Sequence, residues 1–440
     1  MQDQLGGKAN KKAKLKKIKP VSAKISVKPK HTKKPAKKHT LKVLKPALRA
    51  NTQLLIDRYR PAAGGLPKTL PISGRDFAVG PVSPVLVKSL REEFGRQNIT
   101  VLEVAPGPTA RRELISHMVG PYALKFMERQ ARFYYIDYLE QRVRALRRYF
   151  IRDIGLTFGE IVDKLIANGV KVFLHGGIIR DLFTNTRSTD IDIVFDTDVA
   201  KVKDICEREN WPCAEVMIRE QYINFGQDKG ISLEGSNLKA SFIVPIHFHE
   251  ATVNDMSYDM TNQIIIDYSG MGIVDVLARR LRITPAPKYW QRWAEDDFKK
   301  PMRFFKLIQK GYTPATPETL AFVVNYIRDN FDIVYEKQFS PRYPVSRIKH
   351  FLIKNITMGE IDADTGVYSF GANEDKLIPF LQTIKRYVGR GIFIRMLAHF
   401  TPDDLKRFKT AKVITTLSQL LSSQEVLDAQ AEISAAGGFY

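Results

Sequence analysis

The chain has 440 residues and a formal charge of +22. That length suits about three domains, or two plus a tail, and no stretch approaches the roughly 18–20 apolar residues of a membrane span. The two cysteines, Cys206 and Cys213, are spaced for neither a zinc site nor a disulfide framework, which points to a reducing, intracellular and cytoplasmic setting.

The charge is concentrated at one end. Residues 1–50 hold 16 Lys, one Arg and one acid, Asp3, which leaves only about +6 for the remainder. This tail, rich in Lys, Pro and Ala, has too few apolar residues for a core and is expected to be disordered. Its charge density favours contact with RNA or DNA through counterion release, and with it association with a ribonucleoprotein. A solubilising extension is the plainer reading. The scarcity of acids also fits a mitochondrial import signal, although those favour Arg over Lys.

Residues 51–108 read as irregular, punctuated by "RPAAGGLPKTLP" and "VGPVSP". From Thr109 to Phe150 the periodicity predicts two helices broken near Gly120-Pro121. The basic face of the second, with Arg142, Arg144, Arg147 and Arg148, reads first as a solvated helix face. "TFGEIVDKLIANG" is an amphipathic helix closed by Asn168-Gly169, and "VKVFLH" is a strand. A glycine turn, a short helix "IIRDLF", a polar loop and a second strand "DIDIVFD" follow. "DVAKVKDICEREN" predicts another helix, and "GISLEGSNLKASFIV" predicts two strands joined at Glu234–Asn237. Beyond about residue 290 the chain reads as mainly helical.

The chemistry lies in residues 175–196, "HGGIIRDLFTNTRSTDIDIVFD". Gly176 and Gly177 allow a sharp turn and a close backbone approach to a ligand. The following helix offers free N–H groups and the positive end of its dipole to a phosphate. Asp190 and Asp192 stand two residues apart on a strand and therefore share a face. Two such carboxylates repel unless something neutralises them, and Mg²⁺ completed by substrate phosphates does so. Arg180 is placed to reach a phosphate or to fix Asp181 by a charge-assisted bond.

These residues resemble the head domain shared by tRNA CCA-adding enzymes and bacterial-type poly(A) polymerases. Gly176, Gly177, Arg180, Asp181, Asp190 and Asp192 match the signature Gly-Gly-x-x-Arg-Asp followed by Asp-x-Asp. Thr252, Asn254, Tyr258, Asp259 and Asp267 fit the later "T-x-N…YD…IID" stretch. Glu295-Asp296 with Gly311, Tyr312 and Pro317-Glu318-Thr319 is similar to the family's Glu-Asp helix and its ending. The likeness covers about residues 157–330. It implies an α+β, polymerase beta-like, mixed-sheet head followed by an all-helical C-terminal region. The expected layout is a tail at 1–50, an irregular segment and helical preface at 51–155, and the head at 156–285. A neck with the nucleotide-selecting helix follows at 286–335, then a helical, RNA-binding region at 336–440.

The resemblance also implies template-independent addition of nucleotides, AMP foremost, to an RNA 3′ end such as that of a tRNA or mRNA. Asp190 and Asp192 would hold two Mg²⁺ or Mn²⁺ ions that clamp the triphosphate for in-line attack. Gly176, Gly177, Arg180, Asp181, Glu250 and Asn254 would line the nucleotide, with Asp296 and Lys299 toward the base.

The sequence departs from the family in three places. Its Arg-Arg-Asp is here Phe248, His249 and Glu250, so both guanidinium groups are lost. Lys299 replaces the base-reading Arg, and the later arginine positions fall on Met302 and Phe305, with Arg303 displaced by one. A third carboxylate, if aligned by sequence, would fall on Leu238, with Glu234 nearby but out of register. His247 and His249 share a strand face but lack a third ligand, and read as polar strand residues. Three functions follow: an active RNA nucleotidyltransferase, a non-catalytic RNA-binding protein on the same scaffold, and transfer of nucleotides to a protein or small molecule.

Overall fold

The computed structural model describes residues 68–72, 75–116, 130–186, 188, 190–216, 222–228, 231–236, 250–283, 298–337, 345–362 and 364–435. All lie in one unit spanning Ala62–Tyr440. The Lys-rich tail, Gly120-Pro121, Leu238, His247, Phe248, His249 and Asp296 fall outside them.

Thirteen strands in chain order carry the argument. They are β1 (Thr69–Ile72), β2 (Arg75–Pro81), β3 (Val101–Val104), β4 (Arg132–Ile136), β5 (Phe150–Ile151), β6 (Leu156–Thr157), β7 (Val172–His175), β8 (Asp190–Phe195), β9 (Ala214–Val216), β10 (Tyr222–Asp228), β11 (Ile231–Ser236), β12 (Met256–Asp259) and β13 (Ile264–Asp267). Strands β5 and β6 pair as a small hairpin, and the other eleven form one mixed sheet. Its order is β1-β2-β3-β4-β13-β12-β7-β8-β11-β10-β9. The helices are α1 (Pro84–Phe94), α2 (Pro108–Ser116), α3 (Asp137–Leu146), α4 (Phe158–Ala167), α5 (Gly177–Thr184), α6 (Val199–Arg208), α7 (Gly272–Leu277) and α8 (Lys299–Gln309).

The sheet core is built from short apolar runs. Val172, Phe173 and Leu174 of β7, Ile191 and Ile193 of β8, and Ile264, Ile265 and Ile266 of β13 are buried. Strands covered on both faces read as continuous hydrophobic segments. Helix α4 starts at a reciprocal cap in which Thr157 accepts from the Glu160 N–H and Glu160 accepts from the Thr157 N–H. The chain after Phe298 is mainly helical, as expected, with helices at Pro317–Asn330, Leu377–Tyr387, Arg390–Leu397, Ala411–Leu421 and Gln424–Ala435.

Four expectations are corrected. The segment 69–104, read as irregular, contains β1, β2, α1 and β3. The run "RFYYI" at 132–136, read as helix, is β4 and pairs with both β3 and β13. Its Phe133, Tyr134, Tyr135 and Ile136 are all buried, a burial on both faces that a solvent-facing helix cannot provide. Strands β1–β4 therefore continue the same sheet across the expected boundary at residue 156. Glu234, Gly235 and Ser236, expected in a turn, are instead the end of β11, which runs to Ser236 between β8 and β10, while Asn237 lies outside the described residues.

The fourth correction concerns the cysteines, which are bonded to each other as a disulfide. Helix α6 ends, Asn210 adopts a φ of 56°, and the Trp211 N–H donates back to the Cys206 carbonyl at 2.8 Å. That reversal brings the two Cα atoms to 6.1 Å, within disulfide reach. The inference of a reducing compartment no longer follows from the cysteines. Among the described residues, no helix is long and apolar enough to cross a membrane.

Candidate active site at the carboxylate strand

Strand β7 ends at His175, and the chain turns at Gly176 with φ 71° and ψ −133°. A side chain at that φ is strained, so glycine is required there. Helix α5 begins at Gly177, where an added Cβ would lie 3.4 Å from a guanidinium nitrogen of Arg180. Arg180 thus folds back over the turn, at ordinary contact distance from it. Ile178, Ile179 and Phe183 bury the opposite face of α5 and hold the helix against the sheet.

Arg180 is the hub of a buried polar chain. Its Nε and one Nη donate to Asp181 Oδ1 at 2.8 and 2.6 Å, and its other Nη donates to Asn254 Oδ1. The Asn254 amide then donates to Glu250 Oε1 at 2.7 Å. All four residues are buried. Glu250 Oε2 is buried and has no hydrogen-bond partner among the described residues. Thr252 serves the backbone instead. Its hydroxyl donates to Asp275 at 2.6 Å and pins the turn that presents Asn254. Asp267 caps α7 through the Ile273 N–H at 3.1 Å. Burial raises its pKa to about 6, against the opposing pull of those N–H groups.

Asp190 and Asp192 share one face of β8, as the spacing predicts, and Ile191 and Ile193 fill the core face. The parallel pairing of β11 with β8 sets Glu234 in register with Asp192. Neighbouring in-register side chains on adjacent strands lie about 5 Å apart on the same face. Glu234, left out of register by the sequence alignment, thus stands beside Asp192 as a further carboxylate. The Asp192 carboxyl is held well above its usual range by burial, and then by the like charges of Asp190 and Glu234, with Arg303 opposing. Such mutual repulsion calls for a cation. The all-oxygen donor set fits a hard divalent ion whose shell is completed by water and phosphate. Among the described residues, no group of three or more His, Cys, Asp or Glu side chains is gathered closely enough to hold a metal ion, so Asp190 and Asp192 would need substrate phosphate to complete a shell.

Helix α8 faces this set. It is stitched to the sheet unit by a short parallel bridge between Arg280-Leu281 and Thr313-Pro314. Met302 and Phe305, the positions where the family resemblance calls for arginines, are fully buried. Phe305 packs on Tyr387, ring centroids 6.3 Å apart. Arg303, next to Met302, lies close enough to Asp192 to pull its pKa down. Lys306 is held down to about 8 by burial and by Arg303 and Lys310, while Asp190 opposes. Lys310 Nζ lies 4.0 Å from Asp181 Oδ2. Lys299, expected toward the base, has its amine 5.8 Å from the Phe298 ring centroid. Sequence reasoning missed Lys306 and Lys310, although the spacing 303, 306, 310 is a helical-face signal.

No family model matches the chain, and no curated protein matches it. Among solved structures it is similar to a tRNA-processing enzyme in an apo form, at 15% identity and a TM-score of 0.38, over 62% of this chain and 67% of that one. It is also similar to a tRNA nucleotidyltransferase complexed with a primer tRNA and an incoming ATP analog, at 13% identity and a TM-score of 0.40, over 61% and 79%. A further likeness is to the Thermotoga maritima CCA-adding enzyme complexed with tRNA, at 14% identity and a TM-score of 0.35, over 74% and 72%.

Proposed function

We propose that this chain is a template-independent RNA nucleotidyltransferase that transfers AMP from ATP to an RNA 3′ end, such as that of a tRNA or mRNA. The observation that carries the reading is the set Asp190, Asp192 and Glu234 on adjacent strands, beside the Gly176-Gly177 turn. Asp190 and Asp192, with Glu234 beside them, would hold Mg²⁺ or Mn²⁺. When bound, the ion neutralises phosphate charge and activates a hydroxyl for in-line attack.

The chain's own residues supply the rest. The turn lets the triphosphate approach the backbone, and the first N–H groups of α5 point toward it. Arg180, fixed by Asp181 and Asn254, keeps a positive charge beneath that approach at no cost in reorganisation. The Lys-rich tail and the +22 charge favour an RNA partner and a ribonucleoprotein setting. Asp296 and Lys299 are proposed to contact the base.

The test is incorporation of labelled ATP, CTP, GTP and UTP into a small-RNA pool with Mg²⁺ or Mn²⁺, beside Asp190→Ala/Asp192→Ala. Metal-dependent extension by wild type alone is expected, with RNA binding kept in both. Extension by the double variant at the wild-type rate would sink the metal assignment.

A second reading, a non-catalytic RNA-binding protein on this scaffold, is favoured by Phe248 and His249 standing where the family carries two arginines. It predicts tight, salt-sensitive RNA binding with no extension and no response to metal or nucleotide.

A further inference from the structure

Pro301, Phe304 and Phe305 are buried on one side of α8, and Arg303, Lys306 and Lys310 follow one another along the other. Positions three, four and seven apart stack along one helix face, so these three cations form a row about 10 Å long. The row runs past the site. Its last member lies 4.0 Å from Asp181, its first pulls on the Asp192 carboxyl, and its second, between them, feels the charges of Asp190 and Arg180.

Salt bridging alone does not account for the row. The Lys306 side chain makes no hydrogen bond or ion pair among the described residues, yet it is half-buried and stands between Arg303 and Lys310 along the same face. Arg180 is already committed to Asp181 and Asn254. An ammonium crowded by other cations gains most from an anion carrying several charges spread over the same length. A triphosphate fits that description and a single carboxylate does not.

Resting on the nucleotidyl-transfer reading, we propose that Arg303, Lys306 and Lys310 form a clamp for the polyphosphate of the incoming nucleotide, opposite the Asp190–Asp192–Glu234 face. The clamp stands in for the guanidinium groups missing at Phe248 and His249, from a different element. Lys side chains act as point charges, so the row recognises phosphate number more than shape.

The test is calorimetric binding of inorganic tripolyphosphate, AMP, ADP and a non-hydrolysable ATP to the full chain. The variants are Lys306→Met, Lys310→Met and Lys306→Arg. Methionine keeps the unbranched apolar stem, and the exposed Lys310 gives a readout even if the Lys306 variants fold poorly. Wild type is expected to bind more tightly with each added phosphate. Each methionine variant should lose about tenfold for tripolyphosphate and ATP and little for AMP, while arginine retains binding.

A uniform loss across AMP, ADP and ATP, or no loss in a wild type that binds ATP, overturns the clamp and leaves the transferase reading standing. A wild type that binds neither tripolyphosphate nor ATP overturns both. Loss of affinity for an RNA 3′ end with nucleotide binding intact overturns the clamp too, and assigns the row to the primer backbone.

Discussion

Gly235 offers a way to move the carboxylates without touching them. It lies in β11 beside Glu234 and pairs with Ile193 of β8. A Cβ there would sit 2.6 Å from a ring carbon of Phe195, 2.8 Å from one of Phe225 and 3.3 Å from Ile193. Comfortable carbon contacts are about 3.5–4.0 Å, so two rigid rings are overlapped by roughly 1 Å. Both rings are fully buried and cannot swing into solvent. Gly235→Ala should therefore destabilise the protein by about 1–3 kcal/mol, as overpacked cores do. The easiest relief is for β11 to draw away from β8, which carries Glu234 out of register with Asp192. A displacement near 1 Å at a reacting centre costs on the order of 100-fold in rate. Urea unfolding followed by circular dichroism, beside nucleotide incorporation, measures both effects. Stability within about 0.5 kcal/mol of wild type together with unchanged incorporation would refute the reasoning, because the strand would then have absorbed the methyl group without moving.

Further outcomes follow from the buried charges. Asp192→Asn should abolish incorporation yet stabilise the fold at pH 8, since it removes a carboxylate destabilised by burial and by Asp190 and Glu234; a destabilised variant would contradict that electrostatic picture. Asp255 is fully buried, and neither of its carboxylate oxygens has a hydrogen-bond partner among the described residues. Its pKa is raised well above the usual range by burial, then by Asp267, with Lys300 opposing. The folded state thus holds a proton that the unfolded chain releases near pH 4. Wild-type stability should fall as pH rises from about 4 toward the folded pKa, and Asp255→Asn should flatten that slope; parallel pH profiles for the two proteins would argue against it. Removing Arg180 leaves Asp181 buried beside only a distant Lys310, so Arg180→Met should cost about 3–5 kcal/mol. A double-mutant cycle with Asn254→Ala should then reveal about 0.5–3 kcal/mol of coupling, and simple additivity would show that their hydrogen bond carries nothing.

The core of the site was legible because its signals are local. A glycine pair after an apolar strand, an Arg-Asp on the next helix and alternating acids on the following strand are each fixed by residues a few positions apart. Glu234 was not legible. Its place beside Asp192 depends on a parallel pairing between β8 and β11, with the Asn224/Gly226 irregularity on the far side of β11. No local pattern encodes that register. Strand β4 was misread for a related reason, since "RFYYIDYLEQRVRAL" carries helical spacing through its second half. The pairing of Phe133–Ile136 with β3 and β13 overrides it. The cation row on α8 was visible as spacing, but which face looked at the carboxylates was decided by the burial of Met302 and Phe305.

The continuity of the sheet across β4 and β13 governs how this protein is to be cut. A fragment beginning at residue 156 keeps Asp190, Asp192 and Glu234, yet strips β13 of its β4 partner along Ile265, Ile266 and Asp267. Three consecutive isoleucines, buried in the intact sheet, would then line an open edge, the kind of surface on which chains pair with one another and precipitate. A fragment that keeps β13 paired on both sides begins ahead of β1, near residue 68, so that β1–β4 continue the sheet.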